Sequence, residues 1–253
     1  MLIRYKIAIR PPRPISRNII TKTIARSILL AALGASTAAA ADNHIVQSSR
    51  AAHDVTLQTN PASDLWRGAR RVFAEYDSYG KPVPGYRTEI RSRWTKDNLY
   101  LLFICPYEEL YLKPSPDTVH ETNKLWNWDV AEAFIGSDFQ NIKHYKEFEL
   151  SPQGEWIDLD INLEKPHHEN GWTWNSGFQV SARIDRGAHV WYGAMRIPFT
   201  AIDSRPTAAG NTLRVNFFRS QGRPPHRKEV TWQPPMTDTF HTPERFGLLK
   251  LVK

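Results

Sequence analysis

Residues 155–163 alternate without a break: Ile157, Leu159, Ile161 and Leu163 fall on one side, Trp156, Asp158, Asp160 and Asn162 on the other. A period of two is the signature of a strand, because successive side chains point to opposite faces of a sheet. The theme recurs. Residues 86–94 place Thr88, Ile90, Ser92 and Trp94 opposite Glu89, Arg91 and Arg93. The turn cluster Lys96-Asp97-Asn98 leads from there into the continuous apolar run 99–105, which reads as a strand buried on both faces. Strands are predicted at 130–135, 145–150, 178–184, 190–197, 213–219 and 246–252 as well, with one short helix at 199–202 after Pro198. Residues 151–154, Ser-Pro-Gln-Gly, form a turn in which Pro fixes φ and Gly supplies the unusual backbone angle. Strands with one apolar face must bury it against another layer, so the chain is expected to be all-β, as two packed sheets or a barrel.

Charge is unevenly placed. The chain of 253 residues carries a formal charge of +7, and its first 26 residues hold seven Lys and Arg with no acid before Asp42. The apolar run 28–33 and the small residues 35–41 follow, which together describe a secretory signal peptide over 1–41, cut between Ala40 and Asp42. The run is too short to span a bilayer. The remainder holds 26 Lys and Arg against 26 Asp and Glu. A neutral mature chain argues against nucleic-acid binding. The expected organisation is therefore a leader at 1–41, a flexible spacer at 42–53 and one domain at 54–253, exported to the periplasm or outside the cell. The lone Cys105 lies inside an apolar run and reads as an inert buried thiol.

Chemistry concentrates in residues 125–134, Leu-Trp-Asn-Trp-Asp-Val-Ala-Glu-Ala-Phe. Indole rings stack on the C–H faces of sugars, and carboxylates bond neighbouring hydroxyls. Trp126 with Asp129 and Glu132 suits that task; equally, the Trp could plug the end of the domain while the acids face water. Asp158 and Asp160, read as lying beside Glu147 and Glu149, offer oxygens for calcium or a merely solvated face. His167-His168 is a weak metal signal, since no third ligand has diagnostic spacing. Trp172 and Trp174 form either a second stacking loop or an end plug. The loop 219–223, with Arg219, Ser220 and Gln221, is placed to hydrogen-bond a ligand.

From about Asp54 onward the sequence resembles the family 9 carbohydrate-binding modules and their looser relatives. The markers are Thr88-Glu89-Ile90-Arg91, Asp97-Asn98-Leu99-Tyr100, Trp126 with residues 129–134, Ile197-Pro198-Phe199, Val215-Asn216-Phe217, Thr231-Trp232 and residues 243–247. The resemblance implies a β-sandwich of two antiparallel sheets, of jelly-roll or DOMON-like kind, with few short helices. It implies a non-catalytic protein that grips the end of a mono-, oligo- or polysaccharide between two aromatic rings in polysaccharide catabolism, as a monomer with structural calcium. Trp126 falls on the first aromatic position, Phe240 on the second, where the family has Trp, and Glu132 on the sugar-contacting acid. Glu149 stands where the family has an Arg, Thr237 where it has an amide, and Ala194 where a strand acid is common. The alternative is a small glycoside hydrolase or lyase using Glu132 and Glu149, since retaining enzymes need two carboxyls about 5 Å apart. A haem-binding DOMON domain would need an axial Met/His pair, and neither Met195 nor Met236 has an evident partner.

Overall fold

A computed structural model describes residues 44–253; the leader expected at 1–41 lies outside them. Twelve strands follow in chain order: β1 Ile45–Arg50, β2 Arg71–Ala74, β3 Thr88–Trp94, β4 Asn98–Pro106, β5 Val130–Gly136, β6 His144–Leu150, β7 Trp156–Asn162, β8 Gln179–Asp185, β9 Val190–Pro198, β10 Thr212–Gln221, β11 Lys228–Thr231 and β12 Gly247–Val252. Among the described residues helix is confined to the single turn Phe199–Ile202, at its expected place, and three short 3₁₀ segments. No helix among the described residues is long and apolar enough to cross a membrane.

Hydrogen bonds link the strands in the order β7-β6-β5-β10-β12-β1-β3-β4-β9-β8, with β11 beside β10 and β2 beside β3. The separation into two antiparallel sheets expected from the sequence is therefore not the pairing found. β1 runs parallel to both β12 and β3, joining two arms into one continuous sheet. This also corrects the flexible spacer at 42–53: residues 45–50 form a strand inside the sheet, with Val46 and Ser48 buried. Its sequence, Ile-Val-Gln-Ser-Ser-Arg, is too polar to announce itself.

The arms curl until they face each other. Ala131, Ala133 and Ile135 of β5 and Phe148 and Leu150 of β6 share one core with Leu101 and Phe103 of β4 and Trp191 and Met195 of β9. The approach is close: a Cβ added at Gly193 on β9 would lie 2.8 Å from Leu150 Cδ2. As expected, β4 is buried on both faces, its outer side covered by Leu65 and Trp66. The arm made of β10, β5, β6 and β7 is also apolar on both faces. Its outer face carries Val130, Phe134, Tyr145, Ile157, Leu159, Ile161 and Phe218 beneath loops that bring Trp126, Trp172 and Phe240.

Candidate functional site

The alternation of β5 decides which side chains reach that outer face. Ala131, Ala133 and Ile135 point into the shared core, so Val130, Glu132 and Phe134 point the other way. Register then gathers acids. Glu132 is directly opposite Glu149 of β6, and Phe134 opposite Glu147. Glu132, Glu147 and Glu149 each offer a carboxylate oxygen within 4.8 Å of the others, and all three are buried. Like charges facing across a strand pair oppose folding, so this cluster is costly and calls for a reason.

Above it opens a hollow of about 320 Å³. Trp126, Glu132, Glu147, Ser220, Arg227 and Phe240 line it, along with Phe134, His168 and His241. Trp126 sits in the 3₁₀ turn Leu125–Asn127 that precedes β5. Arg227 fixes that turn: its guanidinium donates to the carbonyls of Trp126 at 2.6 Å, Trp128 at 2.6 Å and Asn127 at 3.0 Å. Phe240 stacks on Phe218 with centroids 4.2 Å apart and planes 12° apart, leaving it one face for a ligand. His241 stacks on Phe134 at 5.2 Å and lies 2.6 Å, through Nδ1, from the Tyr145 hydroxyl.

Electrostatics follow from burial. Glu132 is pushed well above the usual carboxylate range by burial and then by the charge of Glu147. Glu149 is raised in the same way, by burial first and then by Glu132 and Glu147. Burial lifts Glu147 to about 7. His241 is drawn down to about 3 by burial, with His168 adding to the effect. Its 3.9 Å approach to Glu147 is therefore no ion pair near neutral pH.

The residues expected from the sequence divide. Trp126, Glu132 and Phe240 come together around the hollow. Glu149 stands beside Glu132 on the neighbouring strand but is fully buried and does not line the hollow. Asp129 is a structural acceptor, taking N–H donation from Gly222 at 2.6 Å, Tyr111 at 2.9 Å and the Gln221 amide at 2.7 Å. Arg219 points into the shared core rather than the hollow: it donates to Thr88 Oγ1 at 3.2 Å and lies between the Tyr86 and Trp191 rings. The alternation of β10 sends Phe218 and Ser220 outward and Arg219 inward. Thr237 is exposed and bonds within its own loop, to the Thr239 carbonyl and Thr242.

Asp158 and Asp160 do not lie beside Glu147 and Glu149. Register sets them opposite Phe148 and Lys146, on the other face of β7. Asp158 accepts the Ser176 N–H at 3.1 Å and its hydroxyl, while Asp160 pairs with Lys146 at 2.5 Å. The two carboxylates thus have separate partners, Ser176 for Asp158 and Lys146 for Asp160, while Asp158 Oδ1 stays buried without one. Trp172 packs over the outer cluster and Trp174 packs edge-on against Phe148, both partly buried. Arg227 and His241 had no signal in the sequence that marked them as site residues, and Glu147 was read only as a neighbour of Asp158 and Asp160; the β5–β6 register and the path of the 222–246 chain bring them in.

Residues 62–253 match the family described as carbohydrate family 9 binding domain-like. Endo-1,4-beta-xylanase A of Thermotoga neapolitana is 20% identical over 192 residues, covering 75% of this chain but only 16% of the xylanase. An extracellular protein of Arthroderma benhamiae is 27% identical over 186 residues, 68% of this chain and 81% of that protein. Among solved structures, a family 9 carbohydrate-binding module from Caldicellulosiruptor kristjanssonii in complex with cellotriose superposes with a TM-score of 0.59 at 12% identity, over 82% of this chain and 93% of that one. At that identity the likeness concerns the fold alone. With the family pattern matched across the whole curled sheet except β1, the chain belongs to the carbohydrate family 9 binding domain-like family.

Proposed function

We propose that the hollow binds a carbohydrate, with a sugar ring against Trp126 and the free face of Phe240 and with Glu132 on its hydroxyls. One observation carries this reading: an indole, a phenyl ring and a buried carboxyl meet at a single hollow whose volume, about 320 Å³, suits a small ligand. The family membership and the cellotriose held by a module of like fold support it. The supporting scaffold is read as two facing layers, one made of β5, β6, β7 and β10 and the other of β3, β4, β8 and β9. Their shared core favours that description.

The glycoside hydrolase reading is weaker, because Glu149 is fully buried and does not line the hollow. Export after removal of residues 1–41 and service in polysaccharide breakdown complete the proposal. The basic start followed by an apolar run supports the first, as does the matched extracellular fungal protein. Isothermal titration with glucose and with cello- and xylo-oligosaccharides tests the binding reading. Saturable heat at one site per chain, lost in Trp126→Ala, is expected. No heat from any of these sugars with folded protein removes the proposal.

A further inference from the structure

We propose that Glu132, Glu147 and Glu149 form a binding site for a hard divalent cation of the calcium type, at the floor of the hollow. Cation binding goes beyond the carbohydrate reading and does not depend on it. The geometry comes first. Oxygens that share one calcium at about 2.4 Å can be no more than about twice that distance apart. The three carboxyls each place an oxygen within 4.8 Å of the others. The second observation is independent of clustering. Glu132 Oε1, Glu147 Oε2 and both oxygens of Glu149 are buried without a hydrogen-bond partner. Buried acceptors are nearly always satisfied, and Glu149 has neither oxygen engaged.

Two ways exist to relieve such a cluster. Glu147 and Glu149 lie close enough for one carboxyl to donate to the other when protonated. That contact satisfies at most one oxygen of each. A divalent cation would take one oxygen from each of the three carboxyls at once and offset their charge. Among the described residues no side chain bonds those orphaned oxygens: Arg227, the guanidinium whose charge is felt at Glu132 and Glu149, already donates to three loop carbonyls.

The donor set selects the ion. Carboxylate oxygens alone suit calcium, magnesium or manganese and not a soft metal. Calcium accepts an irregular shell of six to eight oxygens, whereas magnesium demands a near-ideal octahedron. Three carboxyls beneath an open hollow leave the upper side of the shell for water. If the carbohydrate reading also holds, sugar hydroxyls replace that water, and sugar binding becomes sensitive to chelators.

The test is run without sugar, so its result stands whether or not the hollow takes a carbohydrate. Protein stripped with EDTA and passed into metal-free buffer is titrated with CaCl2 by calorimetry, then with MnCl2, MgCl2 and ZnCl2. One calcium per chain is expected, with affinity at least tenfold weaker in Glu149→Gln and Glu132→Gln and unchanged in Asp160→Asn. Thermal unfolding supplies the second readout. In EDTA, Glu149→Gln should unfold at a higher temperature than the wild type, because it removes a buried unpaired carboxylate. It should also lose the rise that calcium gives the wild type. If Glu149→Gln does not fold, Glu132→Gln carries the same two readouts. The proposal is overturned if none of the four ions binds, or if calcium affinity survives both Glu→Gln changes.

Discussion

An exposed aromatic ring contributes to binding by the area it covers and by its orientation, and Trp126 has both under control. Its ring is half-buried over the outer cluster, and its turn is held by Arg227, which also lines the hollow. Trp126→Ala is therefore expected to weaken sugar binding by about tenfold or more, equivalent to ~1.4 kcal/mol. The unfolding midpoint should stay within a few degrees, because the main core does not contain this ring. Titration calorimetry beside a thermal melt separates the two effects. Arg227 acts through Trp126, as a positioning residue. Arg227→Ala should weaken the same sugar several-fold and speed amide exchange at Trp128, whose N–H closes the turn on the Leu125 carbonyl. Arg227→Lys should restore little, since an ammonium cannot reach three carbonyls from a fixed planar fork. Wild-type affinity in Arg227→Ala would show that the turn holds itself.

At the scale of elements, one contact fixes how the hollow is walled. The 3₁₀ segment His168–Thr173 lies against β7 so closely that a Cβ at Gly171 would fall 2.3 Å from the Asp160 carbonyl oxygen. Backbone cannot yield as a flexible side chain can. Gly171→Ala should therefore lift the segment, which carries His168 and Glu169 to the hollow and Trp172 to the outer cluster. The expected cost is about 1–3 kcal/mol, as for overpacking elsewhere. Denaturant unfolding reads it, and limited proteolysis should cut near residue 170 before the rest opens. These elements also mark what a sequence can and cannot tell. The nine strands expected from alternation all form, because period two is a local property of five or six residues. Alternation also placed Phe148 and Leu150 opposite Glu147 and Glu149 correctly. It cannot tell which face will be roofed by a distant loop, and so gave no sign that the glutamates are buried. The wrong pairing of Asp158 with Glu147 has the same origin: cross-strand register is a non-local quantity, and a shift of one residue exchanges the faces.

For the whole molecule, the consequence lies with the strand that alternation did not reveal. Among the described residues β1 lies between β12, which leads to the arm bearing the hollow, and β3, which leads to the other arm; the arms meet again only through a short bridge between Tyr76, just after β2, and Thr231 of β11. The contribution of β1 is more than backbone pairing. Val46 is in the shared core, the Ser92 hydroxyl donates to Ser48 Oγ at 2.8 Å in a buried pair, and the Ala51 N–H closes on the Trp94 carbonyl. The family match starts at residue 62, well after this strand, so a chain trimmed to the matched region would lack it. Such a chain would expose the edges of β12 and β3, leave Ser92 without its partner, and open the core along Val46. Two parallel pairings would be lost together, and the arms would be joined by the short Tyr76–Thr231 bridge, by loops and by the core they share. A chain beginning at Asp54 is therefore expected to lose cooperative unfolding and aggregate, since two unpaired strand edges side by side template pairing with other chains. A chain beginning at Asp42 should unfold in one transition. Near-ultraviolet circular dichroism with a thermal melt decides between them. If the chain from Asp54 melts cooperatively within a few degrees of the chain from Asp42, β1 is dispensable and the shared core with the Tyr76–Thr231 bridge holds the two arms together.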